Sequence, residues 1–430
     1  MPVDSETNQN FNQYSVSWRE LCPWTIIFRA LPVACSPTIV ILALLGCVLS
    51  PAGWLVSEKL FVNSEMKSDG SGFEQELKTN RSTYQSVFPE DPVHYSPVSV
   101  FGIELHGVDL VYLHHINPGM QLTGINSGWR RFAYFAVGWA WTILVWSFFA
   151  TGICRVATMR LTRGETIGLD DAFNYSIWKF PASISGLMLP IAGVCLVALP
   201  MALLGFFLKA DWGTVVLGAG WIVMLVLGFL VALLLVGLMF AWPLIIASVS
   251  TEGQDSFDAM SRTFAYTYRR PVHYLFYTLI ALVFGGFVWL VADQFTTGVI
   301  HLAHWGASFG ANAGADRMDL IQASSIEDLV REGEVSGTLD TGRSFIRFWN
   351  GFAKTIGAAF FHGFFWCVAT AVYLLLRKDL DQVHLDEVLL VEPYGADELP
   401  EMDVDEDDLP SIKEQADNQS ESASENDQQD

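Results

Sequence analysis

Long apolar segments separated by polar blocks constrain this chain more than any other feature of its sequence. A helix needs about 20 apolar residues to cross the hydrocarbon core of a bilayer. Six segments reach this length, and they are approximately Pro32–Leu55, Phe132–Cys154, Ala182–Leu208, Gly220–Ser248, Tyr274–Thr297 and Gly351–Leu376. The sequence therefore predicts an all-α polytopic membrane protein with about six transmembrane helices.

The fourth segment lies within a longer apolar stretch, Trp212–Ser250. At about 1.5 Å per residue, one helix of this length would be too long for a bilayer. Two interpretations are open: two spans joined by a tight turn, or a short interfacial segment followed by one span. Glycines cluster at the start of the stretch, at Gly213, Gly218 and Gly220. Their position favours a short segment, Asp211–Ala219, followed by one span.

Charge separates the membrane part of the chain from its C-terminal region. Residues 391–430 hold fifteen acidic residues and one lysine, a net charge of −14 out of −22 for the whole chain. This region is rich in Ser, Asn and Gln and has no periodic apolar pattern, so we expect a disordered acidic tail. The composition also lacks the basic patch that a nucleic-acid-binding protein needs.

Basic residues predict the orientation through the positive-inside rule. The clusters assigned to the cytoplasm are Arg155, Arg160, Arg163 and Lys179 after the second span, Arg262, Arg269 and Arg270 after the fourth, and Arg377 and Lys378 after the sixth. The residues that oppose this orientation are Arg130, Arg131, Arg343 and Arg347. Three of them border long loops, where the rule is weak. We expect a multi-pass protein of the bacterial cell (inner) membrane with both termini in the cytoplasm.

This topology divides the chain into segments with different environments. They are a cytoplasmic N-terminus with an interfacial helix (1–31), the first span (32–56), an extracytoplasmic insertion (57–131), spans two to five (132–300) with cytoplasmic connecting helices at 164–181 and 253–271, a second extracytoplasmic block (301–347), the sixth span (348–378) and the acidic tail (379–430). Alternation predicts strands at Pro97–Leu105 and Val108–Leu113. A capping pattern predicts a helix at Ser325–Glu332. The first apolar run lacks the pattern of a cleaved signal peptide and is interpreted as a retained helix.

The two cytoplasmic connecting helices resemble each other. Each has a glycine, an acidic first turn, an aromatic-rich helix and then a proline, Pro181 or Pro271, immediately before a span. We expect both helices to lie at the membrane surface. The apolar positions that recur at helical spacing in the second helix are Phe257, Met260, Phe264 and Tyr268.

A longer segment, residues 240–285, carries a resemblance to a known family. Its sequence, FAWPLIIASVSTEGQDSFDAMSRTFAYTYRRPVHYLFYTLIALVFG, resembles the membrane domain attached to some glycerophosphodiester phosphodiesterases, and the likeness extends over about residues 150–300. The phosphodiesterase catalytic domain has no counterpart in this sequence, so the resemblance implies no catalytic residue. The whole chain, including the run YLLLRKDLDQVHLDEVLL and the acidic tail, is similar to uncharacterised multi-pass proteins of planctomycete-type bacteria.

Ionisable side chains inside apolar spans are the main candidates for a site. Asp293 in the fifth span and Lys354 in the sixth are predicted to form an ion pair, joined by Gln294, because charged groups at this depth face the bundle interior and pair. His362 lies near the middle of the sixth span and is predicted to be a polar residue within the membrane. The pair could serve a polar pathway with His362 or fix the register of two helices, and the second interpretation is favoured because only one pair is visible.

The other histidines give a weaker signal for a metal site. His301 and His304 would share a helix face, but a metal needs a third ligand. The candidates for that ligand are His114, His115 and Asp316, and nothing in the sequence brings them near. Interfacial histidines and one buried, hydrogen-bonded histidine are therefore the favoured interpretation.

Catalytic motifs give no better support. Gly306–Gly310 matches G-x-S-x-G, but it lacks the preceding strand and following helix of a nucleophile elbow and is predicted to be a flexible loop. Small residues four apart in the sixth span, Ala353 with Gly357 and Ala359 with Gly363, would allow close helix contacts. No catalytic residue, metal or cofactor is assigned.

Two functions of different classes fit these features. The first is a non-catalytic membrane scaffold that recruits a protein partner through the acidic tail, where Asp407–Ile412 has the form of a short linear motif. The second is a small-solute transporter or channel, supported by Asp293, Lys354, His362 and the glycine-rich spans. The scaffold is preferred because no inverted repeat with paired broken helices is visible. The lipid bilayer is the surrounding partner, and the oligomeric state is left open.

Overall fold

The computed structural model describes residues 22–63, 73–82, 99–100, 103–104, 107–122, 128–311, 337–385, 387–388, 402–404 and 410–412. The helices are α1 (Ile26–Ala34, after a 3-10 turn at Pro23–Thr25), α2 (Pro37–Phe61), α3 (Phe73–Arg81), α4 (Val108–Gln121), α5 (Trp129–Thr162), α6 (Leu169–Gly205, before a 3-10 turn at Phe206–Lys209), α7 (Asp211–Ala219), α8 (Trp221–Glu252), α9 (Ser256–Arg269), α10 (Pro271–Ala311) and α11 (Gly337–Asp381). Short strands β1 (Ser99–Val100) and β2 (Ile103–Glu104) pair antiparallel, as do β3 (Met402–Val404) and β4 (Pro410–Ile412).

Six helices, α2, α5, α6, α8, α10 and α11, are long and apolar enough to cross a membrane, which confirms the predicted number of spans. The most apolar window of α8 has a mean hydropathy of 3.1, yet only 6% of it is buried within the protein. Such an exposed apolar surface is far larger than a water-soluble monomer presents. These helices are therefore suited to a lipid environment.

The long apolar stretch after the third span divides as predicted. A separate short helix, α7, precedes the span α8 and ends at Gly220. A Cβ atom at Gly213 would lie 2.1 Å from the carbonyl oxygen of Phe207. A glycine is therefore required where the chain returns from the turn at Phe206–Lys209 into α7. The apolar stretch itself breaks at Gly220, between α7 and α8.

The first span begins later than predicted. Helix α1 ends at Ala34, Ser36 is extended, and α2 starts at Pro37. Proline disfavours a helical conformation in the residue before it and is well suited to the first turn of a helix. The buried residues of α1, including Ile27 and Ala30, show that the described part of the predicted interfacial helix is part of the protein core.

The two connecting helices differ in structure, although their sequences are alike. The first is not a separate helix, because α6 continues through Pro181 into the third span. The second is the separate helix α9, bounded by Gly253 in the left-handed conformation (φ 64°) and by Arg270 in a non-helical conformation before Pro271. Only the second connecting helix is therefore separate from the span that follows it.

The structure shows which residues of α9 are buried and which are exposed. The buried residues are Ala259, Thr263, Tyr266 and Thr267. Two members of the predicted apolar face, Phe257 and Tyr268, are 61% and 44% exposed. The other two members, Met260 and Phe264, are partly buried and pack against the core. The predicted apolar face is therefore divided between the protein and its surroundings.

Helix α11 forms the centre of the bundle. Its residues from 357 to 377 are buried apart from Phe360, whereas those from 337 to 356 are mostly exposed. Two of the predicted small residues permit close packing: Gly357 lies against Thr296 of α10, and Gly363 lies against Ile39 of α2. The two pairs of small residues therefore join α11 to different neighbours.

Helix α3, from the predicted insertion, packs against the adjacent ends of α2 and α5. Its Phe73 and Leu77 are buried in an aromatic cluster with Trp54, Tyr134 and Phe135. Two ion pairs add to this contact, Arg81 with Glu58 and Arg131 with Glu76, the latter with 3.2 Å between Nη2 and Oε2. Burial raises the pKa of Glu76, and the nearby charge of Arg131 opposes this shift only in part.

Several local predictions changed in the structure. Within Pro97–Leu105 the described residues form the two-residue strands β1 and β2, whereas Val108–Leu113, also predicted to be a strand, forms the first half of helix α4. Gly306–Gly310 was predicted to be a flexible loop and is instead helical, at the end of α10. The predicted helix at Ser325–Glu332 lies outside the described residues.

The C-terminal region, residues 389–430, is a separate unit. Its described part consists of β3 and β4, whose register pairs Met402 with Ile412. The second strand includes the end of the predicted linear motif Asp407–Ile412. The predicted disorder of the tail otherwise concerns residues outside the described ranges.

Candidate binding site around an inserted helix

Helix α4 is inserted into the transmembrane bundle at the depth of the spans. The ring of His115 lies 5.4 Å from that of Trp146, near the middle of α5, and 6.0 Å from that of His362 in α11. The indole of Trp139 donates a hydrogen bond to the His115 carbonyl (2.7 Å). These partners lie within candidate membrane-spanning helices. Helix α4 has 14 residues, fewer than the about 20 that a helix needs to cross a bilayer by itself.

Glycines explain how α4 approaches its neighbours so closely. A Cβ atom at Gly107 would lie 2.7 Å from the backbone nitrogen of Gly286 in α10. A Cβ atom at Gly119 would lie 2.7 Å from the indole of Trp139. Both ends of α4 therefore fit against spans only because these positions lack side chains.

The N-terminus of α4 is a polar point within this apolar environment. Asp109 is 8% exposed, and its Oδ1 accepts a hydrogen bond from the backbone N–H of Gly107 (2.6 Å). Free backbone N–H groups at a helix N-terminus are costly where water cannot reach, and a carboxylate interacts favourably with the positive end of the helix dipole. Asp109 therefore stabilises a helix start that would otherwise be unfavourable inside the membrane.

A cavity of about 470 Å³ lies beside this helix start, between α4, α8, α10 and α11. Most of its lining is apolar, including Met239, Phe240, Leu244, Ala281, Leu282, Phe365 and Val372. The polar residues of the lining are Asp109, Tyr112, Tyr274 and Thr278. Its volume is within the range of about 300–1,000 Å³ that is typical of small-molecule pockets.

The tyrosines of the cavity bond to the backbone of α8 at its proline. Pro243 has no N–H group, so the carbonyl of Met239, four residues earlier, lacks its helical donor. The hydroxyl of Tyr112 donates a hydrogen bond to that carbonyl. Tyr274 donates to the next carbonyl, that of Phe240, over 3.0 Å. Tyr112 of α4 thus supplies the hydrogen bond that Pro243 removes from α8, at the edge of the cavity.

Three histidines meet on the other side of α4. The ring centroids of His114, His115 and His362 are 5.4, 6.0 and 6.1 Å apart, and all three side chains are buried. The Nδ1 atoms of His115 and His362 lie 2.7 and 2.9 Å from the carbonyl oxygens of Val111 and Ala358. Since a carbonyl can only accept, these two Nδ1 atoms carry the protons.

Aromatic rings enclose this histidine cluster. His362 stacks on Trp146 with centroids 4.7 Å apart, and His115 stacks on Trp242 at 5.2 Å. Trp366 approaches His115 edge to face, at 6.2 Å. Within the described part of the chain, no hydrogen-bond partner faces the Nε2 atoms of the three histidines.

No family model, no curated protein and no solved structure matches this chain. The resemblance to the membrane domain of glycerophosphodiester phosphodiesterases therefore stays a prediction. In the ranges that the structure describes, no group of three or more His, Cys, Asp and Glu side chains has an arrangement that could hold a metal ion.

The residues predicted from sequence lie partly inside and partly outside this site. His362 is in the histidine cluster. Its proximity to His114 and His115 was not predicted from the sequence. Asp293 lies in the C-terminal half of α10 and Lys354 in the N-terminal half of α11, and their charges interact. Gln294 donates to Asp293 over 3.3 Å, and a direct ion pair with Lys354 stays a prediction.

Histidines His301 and His304 do not join the cluster. His304 lies on α10 and is hydrogen-bonded to Asn350 of α11, with 3.0 Å between Nε2 and Nδ2. His301 is exposed. The structure therefore separates the predicted pair from His362, and Asp316 lies outside the described residues.

A partly buried ionic network at the opposite ends of the spans was not predicted from the sequence. Glu252, at the end of α8, contacts Arg377 of α11 (2.9 Å) and Arg262 of α9 (2.6 Å). It also accepts a hydrogen bond from Tyr373 (2.7 Å). Burial, together with a hydrogen bond to Asp381, raises the pKa of Tyr266 in the same region. This network fixes α8, α9 and α11 relative to one another.

Proposed function

We propose that the protein is a small-solute transporter whose solute binds in the cavity beside α4. The observation that carries this proposal is a helix that starts at membrane depth and borders a cavity of about 470 Å³. In membranes, helix ends and irregular backbone occur where they are buried in protein or line a cavity, and broken helices of transporters form substrate sites in this way.

The lining favours a largely apolar solute with one polar group. Apolar side chains on three spans supply most of the surface, and the carboxylate of Asp109 is at one corner. A compact apolar molecule would bind by burial of its surface, and its polar group would orient towards Asp109 and the tyrosines. This composition disfavours an inorganic ion or a sugar.

We also propose the orientation in which both termini face the cytoplasm of a bacterial inner membrane. The ionic network of Glu252 would then lie at the inner surface, and α3 at the outer surface. A periplasm-active reporter enzyme fused after Lys378 should be silent. Activity of that fusion would contradict this orientation.

The scaffold hypothesis depends on the acidic tail, of which the structure describes only β3 and β4. It stays a prediction, since no contact of the described residues favours it. An affinity pull-down with and without residues 391–430 tests it. Partners that require the tail would support a recruiting role.

Filling the cavity tests the transport proposal. Ala281 lines the cavity and is 3% exposed, whereas Val283 on the same helix is 46% exposed. Small molecules extracted from purified wild-type protein, Ala281→Phe and the control Val283→Phe would be compared by mass spectrometry. We expect a molecule that is present in wild type and in the control but lost in Ala281→Phe, and that wild-type proteoliposomes take up.

Two results would count against the proposal. An identical set of bound molecules in all three proteins would show that the cavity holds no solute. A bound molecule that depends on the cavity but is not taken up would indicate a receptor or a structural lipid site instead of a transporter.

A further inference from the structure

The three buried histidines form a site distinct from the cavity. His114 and His115 lie on α4, and His362 lies on α11. Their ring centroids are 5.4 to 6.1 Å apart. A hydrogen bond of about 3 Å between two ring nitrogens would place the centroids about 5 Å apart, slightly closer than these three rings lie.

The protonation of two of these rings is set by the backbone. Because Nδ1 of His115 and of His362 donates to the carbonyl of the residue four positions earlier, Nε2 of each neutral ring carries a lone pair. No hydrogen-bond partner for either Nε2 atom, or for that of His114, exists among the described residues. Buried polar atoms are normally satisfied, and a set of three that is not calls for a ligand.

We propose that His114, His115 and His362 bind one proton between them. The proton adds to an Nε2 lone pair, and the resulting N–H donates to the Nε2 of a second ring, so that two orphaned acceptors are satisfied at once. Net charge rises by one, and no other group changes. Histidine is suited to this role because it exchanges protons near physiological pH, and histidine chains act as proton relays in membrane transporters.

The surrounding aromatic rings favour the charged form. Trp146 stacks on His362, and Trp242 and Phe365 stack on His115 with interplanar angles of 27° and 7°. The face of an aromatic ring attracts a cation, and the attraction is stronger where water is excluded. This attraction offsets part of the cost of placing a charge in the membrane.

Few other ionisable groups face the cluster. On α2, the thiol of Cys47 lies 3.8 Å from Nδ1 of His362. On α4 itself, Asp109 and Tyr112 lie at least two residues before His114 along the chain and border the cavity. In the described portions of α5 and α8, the side chains that contact the histidine rings are those of Trp146 and Trp242, which do not titrate.

Nitrogen-15 NMR of histidine-labelled full-length protein in lipid bilayers tests this inference. We expect His114, His115 and His362 to change together, in one transition with one proton bound, as the pH is lowered from about 8 to about 3. His362→Gln should abolish the transition of the other two, and the exposed control His301→Gln should leave it unchanged. If a variant fails to fold, the wild-type spectra still test the proposal, because they show whether the three histidines share one transition.

Three outcomes would overturn the proton site. The three rings could titrate independently, or they could stay neutral throughout the range. Elemental analysis could also find one transition metal per chain that is lost in His362→Gln, which would make the cluster a metal site. None of these results depends on whether the cavity binds a solute, so the failure of one proposal can be distinguished from the failure of the other.

Discussion

The hydrogen bond from Tyr112 to Met239 gives the sharpest quantitative prediction. Pro243 leaves the Met239 carbonyl without its helical donor, and the Tyr112 hydroxyl takes the place of that donor. In Tyr112→Phe the carbonyl would be unsatisfied, with no water available at this depth. Leaving a buried acceptor unsatisfied costs about 1–3 kcal/mol, and we expect a loss of this size in the free energy of unfolding.

A second substitution isolates the cause. Pro243→Ala restores an N–H group four residues after Met239, so Tyr112→Phe in that background should cost less than about 0.5 kcal/mol. The coupling between the two changes would then be about 1–2 kcal/mol, within the range of directly interacting residues. Reversible unfolding in mixed micelles, followed by circular dichroism, measures all four proteins of the cycle.

The matched control uses a tyrosine of α9 whose hydroxyl also bonds to the backbone of α8. Tyr268 donates to the carbonyl of Leu233 (2.7 Å), which retains its helical donor because residue 237 is a glycine. The cost of Tyr268→Phe should therefore not depend on Pro243. Equal losses for Tyr112→Phe in the two backgrounds would refute the assignment of its hydroxyl to the proline-freed carbonyl.

Three further predictions concern the packing and charges that hold the bundle. Gly107→Ala should destabilise the protein by about 1–3 kcal/mol through overpacking, whereas Gly128→Ala, with nothing within 4 Å, should be nearly neutral in the same unfolding assay. Glu252→Gln should cost about 2–4 kcal/mol because it breaks a buried pair, against less than about 0.5 kcal/mol for the exposed Glu165→Gln; similar losses would exclude a special role for the network. Because the pKa of Glu76 is raised in the folded state, its contribution to stability is present below its ordinary pKa and is lost as the pH rises through the folded value. Glu76→Gln should remove this pH dependence of stability, and an unchanged pH profile of unfolding would contradict it.

Short-range features of the sequence determined the outline of the fold. Six spans, and the separation of Asp211–Ala219 from α8, could be predicted because length, hydropathy and glycine content are properties of contiguous residues. The residues at which helices begin and end could not be predicted in the same way. Pro181 and Pro271 occupy similar sequence contexts, yet α6 continues through the first and the chain breaks before the second. Proline weakens a helix locally, but packing decides whether the helix continues.

The tertiary structure alone decided what the insertion contributes. Val108–Leu113 alternates like a strand, but buried contacts on several sides favour helix α4 inside the bundle. His362 is separated from the adjacent pair His114 and His115 by four of the six spans, so no local pattern could show that their rings meet. His362 could be predicted to be a polar residue within the membrane because its position near the middle of one apolar segment is a local property of the sequence. Its partners, and the cavity beside them, arise from contacts between distant helices, which hydropathy and periodicity do not encode.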